Sequence, residues 1–135
     1  MTEKQKTKVL IVDDNKHMVK TISDILELEG YKTESAFDGD RAVEQVKAST
    51  IDCVLMDVKM LGTDGLSALK KIRKLHSDLP VILMSGSITD NIIAEAKKLG
   101  ALEVLDKPFR VDVVLGFLSK IKKDRPVRVP SKKGE

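Results

Sequence analysis

Carboxylate, hydroxyl and ammonium side chains recur just after short apolar segments of this sequence. The carboxylates are Asp13, Asp14 and Asp57, the hydroxyl is that of Ser85, and the ammonium is that of Lys107. Three carboxylates that meet repel one another and raise a pKa unless a cation balances them, and ligands that are all oxygen favour a hard ion such as Mg²⁺. A divalent cation, a lysine and a hydroxyl together suit a phosphoryl group, whose transition state spreads negative charge over three oxygens. One aspartate can then act as the nucleophile and form an acyl phosphate.

The elements that carry these side chains decide whether they meet. Short apolar segments typical of strands alternate with stretches in which apolar residues recur at helical spacing. The predicted strands are Val9–Val12, Tyr31–Ala36, Cys53–Met56, Val81–Met84 and Val104–Leu105. Strand–helix units in succession predict a parallel sheet covered by helices on both faces. With right-handed connections, we expect an α/β, flavodoxin-like, doubly wound five-stranded sheet in the order 2-1-3-4-5, with five helices.

This strand order predicts where the polar side chains converge. Strands 1 and 3 are neighbours in it, and the functional crevice lies at their carboxyl ends. Asp13 and Asp14 follow strand 1 and Asp57 follows strand 3, so the three carboxylates are expected in one crevice. Ser85 follows strand 4 and Lys107 follows strand 5, which places both at the same edge of the sheet.

Composition excludes several other classes of site. The chain has 135 residues, of which 41% are hydrophobic and 33% charged, as expected for one globular domain. One cysteine, Cys53, leaves no disulfide framework or cysteine-rich zinc site, and 3% aromatic residues disfavour a base-stacking surface. No apolar segment is long enough to cross a membrane, and Met1–Lys8 lacks the core of a signal peptide. We therefore expect a cytoplasmic protein that does not bind membranes.

The net charge lies mainly at one end of the chain. Of the formal charge of +3, residues 124–135 contribute +2 and leave +1 for the rest. A nearly neutral domain predicts no direct nucleic-acid binding by that domain. We divide the chain into a flexible N-terminus at 1–7, a domain at 8–123, and a basic tail or linker stub at 124–135.

Taken in order, these motifs resemble the receiver domains of bacterial two-component response regulators over about residues 7–123. The matching elements are Val9–Asp14, Asp57 with Met60 and Gly65 after it, Met84–Gly86, Gly100–Ala101 and Lys107–Phe109. The resemblance implies a phosphoryl-accepting receiver of a two-component system or phosphorelay. Its expected partner is a sensor histidine kinase or a histidine phosphotransfer protein, whose phosphohistidine supplies the phosphoryl group to Asp57. Such a domain is a signalling module rather than an enzyme, and it catalyses only its own phosphorylation and dephosphorylation.

The resemblance also implies a Mg²⁺ site. Asp57 and Asp14 ligate the ion, Asp13 acts mainly through a bound water, and the backbone carbonyl of Lys59 is a further ligand. A lysine two residues after the phosphoacceptor departs from many receivers, which carry a neutral or acidic residue there. It resembles the single-domain receiver of the sporulation phosphorelay, as does the Lys97–Leu102 stretch.

Two further positions follow the receiver pattern, and two more besides Lys59 depart from it. The Ser85 hydroxyl matches the one that contacts the phosphoryl group, and Lys107 matches the family's lysine, with a cis Lys107–Pro108 bond implied. Val104 replaces the aromatic residue that turns inward on phosphorylation in many receivers, and a valine cannot make that movement. Leu61 replaces a common proline, which predicts a more mobile loop.

Other functions require residues or domains that this sequence can be checked for. A haloacid-dehalogenase-type hydrolase needs an aspartate where this chain has Asn15, and no glycine-rich nucleotide motif follows strand 1. A receiver fragment of a larger regulator with a missing effector domain stays open. A pseudo-receiver that binds partners without phosphorylation also stays open, although such a domain normally loses an acidic or lysine position.

One further surface is predicted around helix 4, strand 5 and helix 5. The apolar arc of helix 5 spans about 200°, against the stripe of about 100° that a core-facing helix needs. The four side chains expected to form an exposed partner-binding patch are Ile92, Val104, Val113 and Phe117. Such a patch predicts a homodimer or docking of an output partner through this face.

Overall fold

A computed structural model describes residues 7–60 and 62–121 of the chain. Its strands are β1 (Lys8–Val12), β2 (Lys32–Ala36), β3 (Cys53–Asp57), β4 (Val81–Ser85) and β5 (Glu103–Asp106). Its helices are α1 (Lys16–Leu28), α2 (Gly39–Ala48), α3 (Gly65–Leu75), α4 (Asp90–Lys98) and α5 (Val111–Leu118). All strand pairs are parallel and the sheet order is β2-β1-β3-β4-β5, so the predicted fold is confirmed.

Some of the predictions fall on other parts of the chain. The flexible N-terminus, apart from Thr7, the loop mobility at Leu61 and the basic tail at 124–135 lie outside the described residues. Within the part of the chain that is described, no helix has both the length and the apolar character needed to cross a membrane.

The central strands are apolar because both faces of the sheet are covered. Residues of β3 and β4 are buried throughout, and β1 is buried after its first residue. The helices α2, α3 and α4 pack on one face, and α1 and α5 pack on the other. A parallel sheet covered in this way holds its strand ends rigidly, so side chains just beyond them have well-defined positions.

Four strands, β1, β3, β4 and β5, are slightly longer than the apolar segments that predict them, whereas β2 begins one residue later than predicted. Both β3 and β4 include one polar residue at the carboxyl end, Asp57 and Ser85. In the register, Asp57 pairs with Met84, and Ser85 pairs with Asp106. The sheet ladder itself therefore holds the backbone of two predicted site residues.

The end of the sheet opposite these residues contains a clamp formed by Arg73 of α3. Its Nε donates to the carbonyl of Leu99 at 2.7 Å, and its Nη2 donates to that of Gly100 at 2.9 Å. Its Nη1 donates to the carbonyls of Leu79, at 2.7 Å, and His76, at 3.2 Å. One planar guanidinium thus ties the end of α3, the chain entering β4 and the end of α4 together.

We expect Arg73→Lys to lower the free energy of unfolding by about 2 kcal/mol, because an ammonium cannot reach carbonyls on several sides and leaves some of them without this donor. Chemical denaturation measures the change. Arg110→Lys is the matched control, since Arg110 pairs with the exposed Asp112 and such a pair contributes little. Equal stability of the Arg73→Lys variant and the wild type would contradict the clamp.

Candidate functional site

The buried polar side chains of the described residues gather at the carboxyl edge of the sheet. Asp13, which follows β1, is 1% exposed, Asp57 at the end of β3 is 6% exposed, and Ser85 at the end of β4 is 1% exposed. Burying polar groups is costly unless they are paired, so their concentration at one place indicates a functional site rather than a structural accident.

Three carboxylates meet in this site. One oxygen from each of Asp13, Asp14 and Asp57 lies within 4.8 Å of the others, with Asp14 at the exposed side. These ligands are hard oxygen atoms, and they leave one side open to solvent. Mg²⁺ is bound by one or two carboxylates and keeps several waters, so the residues present fit this ion.

Lys107 balances the two buried carboxylates. Its Nζ lies 2.8 Å from Asp13 Oδ2 and 3.2 Å from Asp57 Oδ2. Burial by itself would lower the pKa of Lys107, but the hydrogen bonds and charges of Asp13 and Asp57 outweigh that effect and raise the pKa. The lysine therefore stays charged. The Lys107–Pro108 bond is cis, as the resemblance implied.

The pKa of Asp57 is raised as well, but for a carboxyl this favours the neutral form rather than the charged one. Burial raises the pKa of its carboxyl, and the nearby charge of Asp13 raises it further. Lys107 and the backbone N–H of Lys59 donate to the Asp57 carboxylate and lower its pKa, but only in part. A further cation at this site would therefore favour the ionised form of Asp57.

Ser85 is oriented by the loop that follows it. The Ser87 backbone N–H donates to Ser85 Oγ at 3.0 Å, and the Lys107 backbone N–H donates to the Ser85 carbonyl at 2.8 Å. Since its oxygen accepts the Ser87 bond, the hydroxyl keeps its own proton to donate. The bond to the Lys107 backbone also connects Ser85 directly to the element that carries the lysine.

Comparison with known proteins identifies the family of this arrangement. Residues 9–119 match the sequence model of the response regulator receiver domain. The chain belongs to this family. It is 34% identical over 113 residues to sporulation initiation phosphotransferase F of Bacillus subtilis, covering 84% of this chain and 91% of that protein. It is 35% identical over 114 residues to chemotaxis protein CheY of the same organism, covering 84% and 95%.

Solved structures agree with this result. The CheY4 chemotaxis protein of Vibrio cholerae superposes with a TM-score of 0.81 at 28% identity, covering 87% of this chain and 99% of that one. The receiver domain of the Francisella response regulator 1452 superposes with a TM-score of 0.78 at 32% identity, covering 84% and 94%. This protein is therefore a receiver of two-component signalling, and neither the hydrolase nor the nucleotide-binding alternative is favoured. Receiver domains bind Mg²⁺ at an acidic pocket, and they interact with histidine kinases or phosphotransfer proteins.

The receiver also contains site residues whose physical role sequence reasoning missed. Asn15 caps α1 by accepting from the Met18 backbone N–H at 3.0 Å, and its own N–H donates to Asp13 Oδ1 at 3.0 Å. Gly65 packs against the backbone of Asp57, where a β-carbon would collide with the Asp57 carbonyl oxygen. The available signal was the type of residue, since asparagine favours helix starts and glycine permits close approach of backbones.

The predicted partner face is arranged differently from the prediction. Val113 is exposed, but Ile92 and Val104 are half-buried against the core beneath α2, α3 and α4. Phe117 is half-buried against the core beneath α1 and α5. The prediction that all four are exposed is therefore wrong, and Ile93, at 47% exposure, is the exposed isoleucine rather than Ile92.

The helical period explains the error at Ile92. Ile92 lies four residues before the buried Ala96 and seven before the half-buried Leu99, on one face of α4, whereas Ile93 lies about 100° away. Ile93 and Leu102 are exposed and line an apolar groove between α4 and β5. Dimerisation or partner docking through the face formed by α4, β5 and α5 stays a prediction.

The contact of Lys107 with both Asp13 and Asp57 can be tested by measuring stability. We expect Lys107→Met to lower the free energy of unfolding by about 2 kcal/mol without Mg²⁺, because Asp13 and Asp57 lose their common counter-charge. Adding Mg²⁺ should then stabilise the variant more than the wild type, since the ion replaces the missing charge. Lys70→Met, at an exposed position of α3, is the control. Thermal denaturation measures the effect, and equal Mg²⁺-dependent shifts in the melting temperature of Lys107→Met and of the wild type would contradict this account.

Proposed function

We propose that this receiver accepts a phosphoryl group on Asp57 in a Mg²⁺-dependent reaction in the cytoplasm. The observation that carries the proposal is the shared ammonium: Lys107 contacts both Asp13 and Asp57 where three carboxylates converge. The donor is the phosphohistidine of a sensor histidine kinase or of a histidine phosphotransfer protein. Family membership supports this class of donor, and the burial of Asp57 between two charged neighbours supports its role as acceptor.

The chemical step transfers phosphorus from nitrogen to oxygen. A carboxylate oxygen of Asp57 attacks phosphorus, a P–O bond forms and the P–N bond breaks. The electron pair of the broken bond stays on the imidazole nitrogen of the donor. The product is an acyl phosphate on Asp57, and its hydrolysis by water restores the carboxylate.

Several residues around Asp57 can stabilise the negative charge of the phosphoryl group. The Lys107 ammonium, already next to Asp57, offsets negative charge on the phosphoryl oxygens, and the Ser85 hydroxyl has a proton to donate to one of them. Asp14, Asp57 and the backbone carbonyl of Lys59 would hold the Mg²⁺, with Asp13 acting through water. When bound, the ion offsets the charge that accumulates on the transferring group.

Two roles in a signalling pathway are compatible with this receiver. Over most of its length the chain is similar to sporulation initiation phosphotransferase F, of which it covers 91%. It is also 36% identical to the transcriptional regulatory protein ZraR of Escherichia coli over 112 residues, but it covers 25% of that protein. The first similarity supports a role as a phosphorelay intermediate. The second supports the alternative, that this receiver is part of a larger regulator. All acidic and lysine positions of the site are present, which argues against a pseudo-receiver.

The acceptor is tested by intact-mass measurement after incubation with Mg²⁺ and a small phosphodonor. We expect the wild type and the control Asp24→Asn to gain the mass of one phosphoryl group and Asp57→Asn to gain none. The modification should disappear in mild alkali, because acyl phosphates are labile in base. Undiminished labelling of Asp57→Asn, or equal labelling in excess chelator, would overturn the proposal.

Lys59 is proposed to adjust the lifetime of the acyl phosphate. Its side chain is exposed, and its backbone N–H donates to the Asp57 carboxylate, so the ammonium extends from the mouth of the site. A cation there can pair with phosphoryl oxygens or repel Mg²⁺. Either effect would change the rate at which water hydrolyses the acyl phosphate.

We expect Lys59→Asn to change the dephosphorylation rate several-fold, in a direction set by whichever of the two charge effects is larger. The rate is measured as the loss of phosphoryl mass after the donor is removed. Lys47→Asn, at an exposed position in the last turn of α2, is the control and should match the wild type. A rate for Lys59→Asn equal to that of Lys47→Asn would remove this side chain from the mechanism.

A further inference from the structure

The loop between β3 and α3 carries Lys59, and its two ends are closed on each other. The Gly65 backbone N–H donates to the Val58 carbonyl at 2.8 Å. A β-carbon on Gly65 would lie 2.8 Å from Val58 Cα and closer still to the carbonyl oxygen of Asp57. The inner side of the loop is therefore packed against the backbone of the phosphoacceptor. Near its other end, at Thr63, the loop contacts a further element.

That element is the first turn of α2. Gly39 is buried, and a β-carbon placed on it would lie 2.5 Å from the Thr63 carbonyl oxygen and 3.0 Å from Thr63 Cγ2. Real β-carbons do not approach a backbone oxygen this closely, so only glycine permits the observed contact. Gly39 needs no unusual backbone conformation here, and the close approach alone explains the residue.

A side-chain hydrogen bond closes the same contact. Thr63 Oγ1 donates to Asp40 Oδ1 at 2.7 Å, a distance typical of a bond to an ionised acceptor. Lys71 of α3 also approaches Asp40 Oδ1, at 3.9 Å. Asp40 lies in the first turn of α2, where a negative charge is favoured by the helix dipole. The hydroxyl bond and the backbone contact of Gly39 together form what we term the α2 latch: Gly39, Asp40 and Thr63.

We propose that the α2 latch positions the β3–α3 loop for the divalent cation, so that Gly39, Asp40 and Thr63 set the Mg²⁺ affinity of the receiver without touching the ion. The inference rests on the proposed Mg²⁺ site with the Lys59 carbonyl as a ligand. A ligand on a loop binds best when the loop is already held in place, because ordering it on binding reduces the affinity. Releasing the latch should therefore weaken Mg²⁺ binding, and saturating Mg²⁺ should restore phosphorylation.

The test compares variants that differ at the latch alone. Thr63→Val keeps the shape and removes the hydroxyl, and we expect it to weaken Mg²⁺ binding about threefold. Thr63→Ser keeps the hydroxyl and should bind Mg²⁺ nearly as the wild type does. Gly39→Ala should weaken binding by more than Thr63→Val, because its β-carbon must displace the Thr63 backbone. Mg²⁺ dissociation constants are measured from amide NMR shifts of residues 57–59.

Gly116→Ala provides the matched control for the glycine substitution. A β-carbon on Gly116, inside α5, meets open space, so this variant should keep the wild-type Mg²⁺ affinity. Alanine is favoured over glycine in helices, and a Mg²⁺ defect in Gly39→Ala alone therefore reports the contact with Thr63 rather than helix formation. At saturating Mg²⁺, the phosphorylation rates of the latch variants should come within about twofold of the wild type, a smaller loss than the binding effect.

The outcomes separate this inference from the proposed function. If the wild type binds Mg²⁺ and Thr63→Val and Gly39→Ala bind it equally well, the latch has no such role and the proposed function stands. If Gly39→Ala does not fold, the Thr63→Val and Thr63→Ser pair decides alone. If Thr63→Ser is as weak as Thr63→Val, the hydroxyl is not the positioning group. If the wild type itself binds no Mg²⁺, both the inference and the proposed function fail.

Discussion

Two buried carboxylates at neighbouring strand ends need a counter-charge, and in this receiver it comes from the edge of the sheet. Lys107 follows β5, two strands away from β3, and lies 94 residues from Asp13 in the chain. Its reach depends on the pairing of β5 with β4, in which Ser85 lies beside Asp106. The pairing of the edge strand therefore links the position of Ser85 to the charge balance of the acidic site. A change in any of them alters the electrostatic surroundings of Asp57.

The rest of the site depends on backbone positions more than on side-chain choice. The central strands are buried on both faces, so the loops that leave them begin from fixed points. Asn15 holds the turn after β1, and Gly65 lets α3 start against the backbone of Asp57. Arg73 ties α3, β4 and α4 at the opposite end of the sheet. The acidic site thus sits on a scaffold that is fixed at both ends.

The partner face illustrates where helical periodicity is insufficient. Adjacent residues of a helix differ by about 100° in direction, so a shift of one residue exchanges a core position for a surface one. The pattern of α4 allows either Ile92 or Ile93 to face inward, and packing against Ala96 and the sheet selects Ile92. At α5 the wide apolar arc led to the prediction of an exposed Phe117, but the ring packs against the core beneath α1 and α5.

The strand–helix alternation, the sheet order and the polar residues at the strand ends could all be predicted from the sequence. These features depend on local patterns, since apolar segments, right-handed connections and residues just after each strand are all visible along the chain. Tertiary structure alone decided the contact of Lys107 with two carboxylates, the four carbonyls around Arg73 and the approach of Gly39 to Thr63. Each of these joins segments distant in sequence, and their separation depends on how helices and sheet pack together. No local pattern encodes that distance, because packing sums many weak contacts over the whole domain.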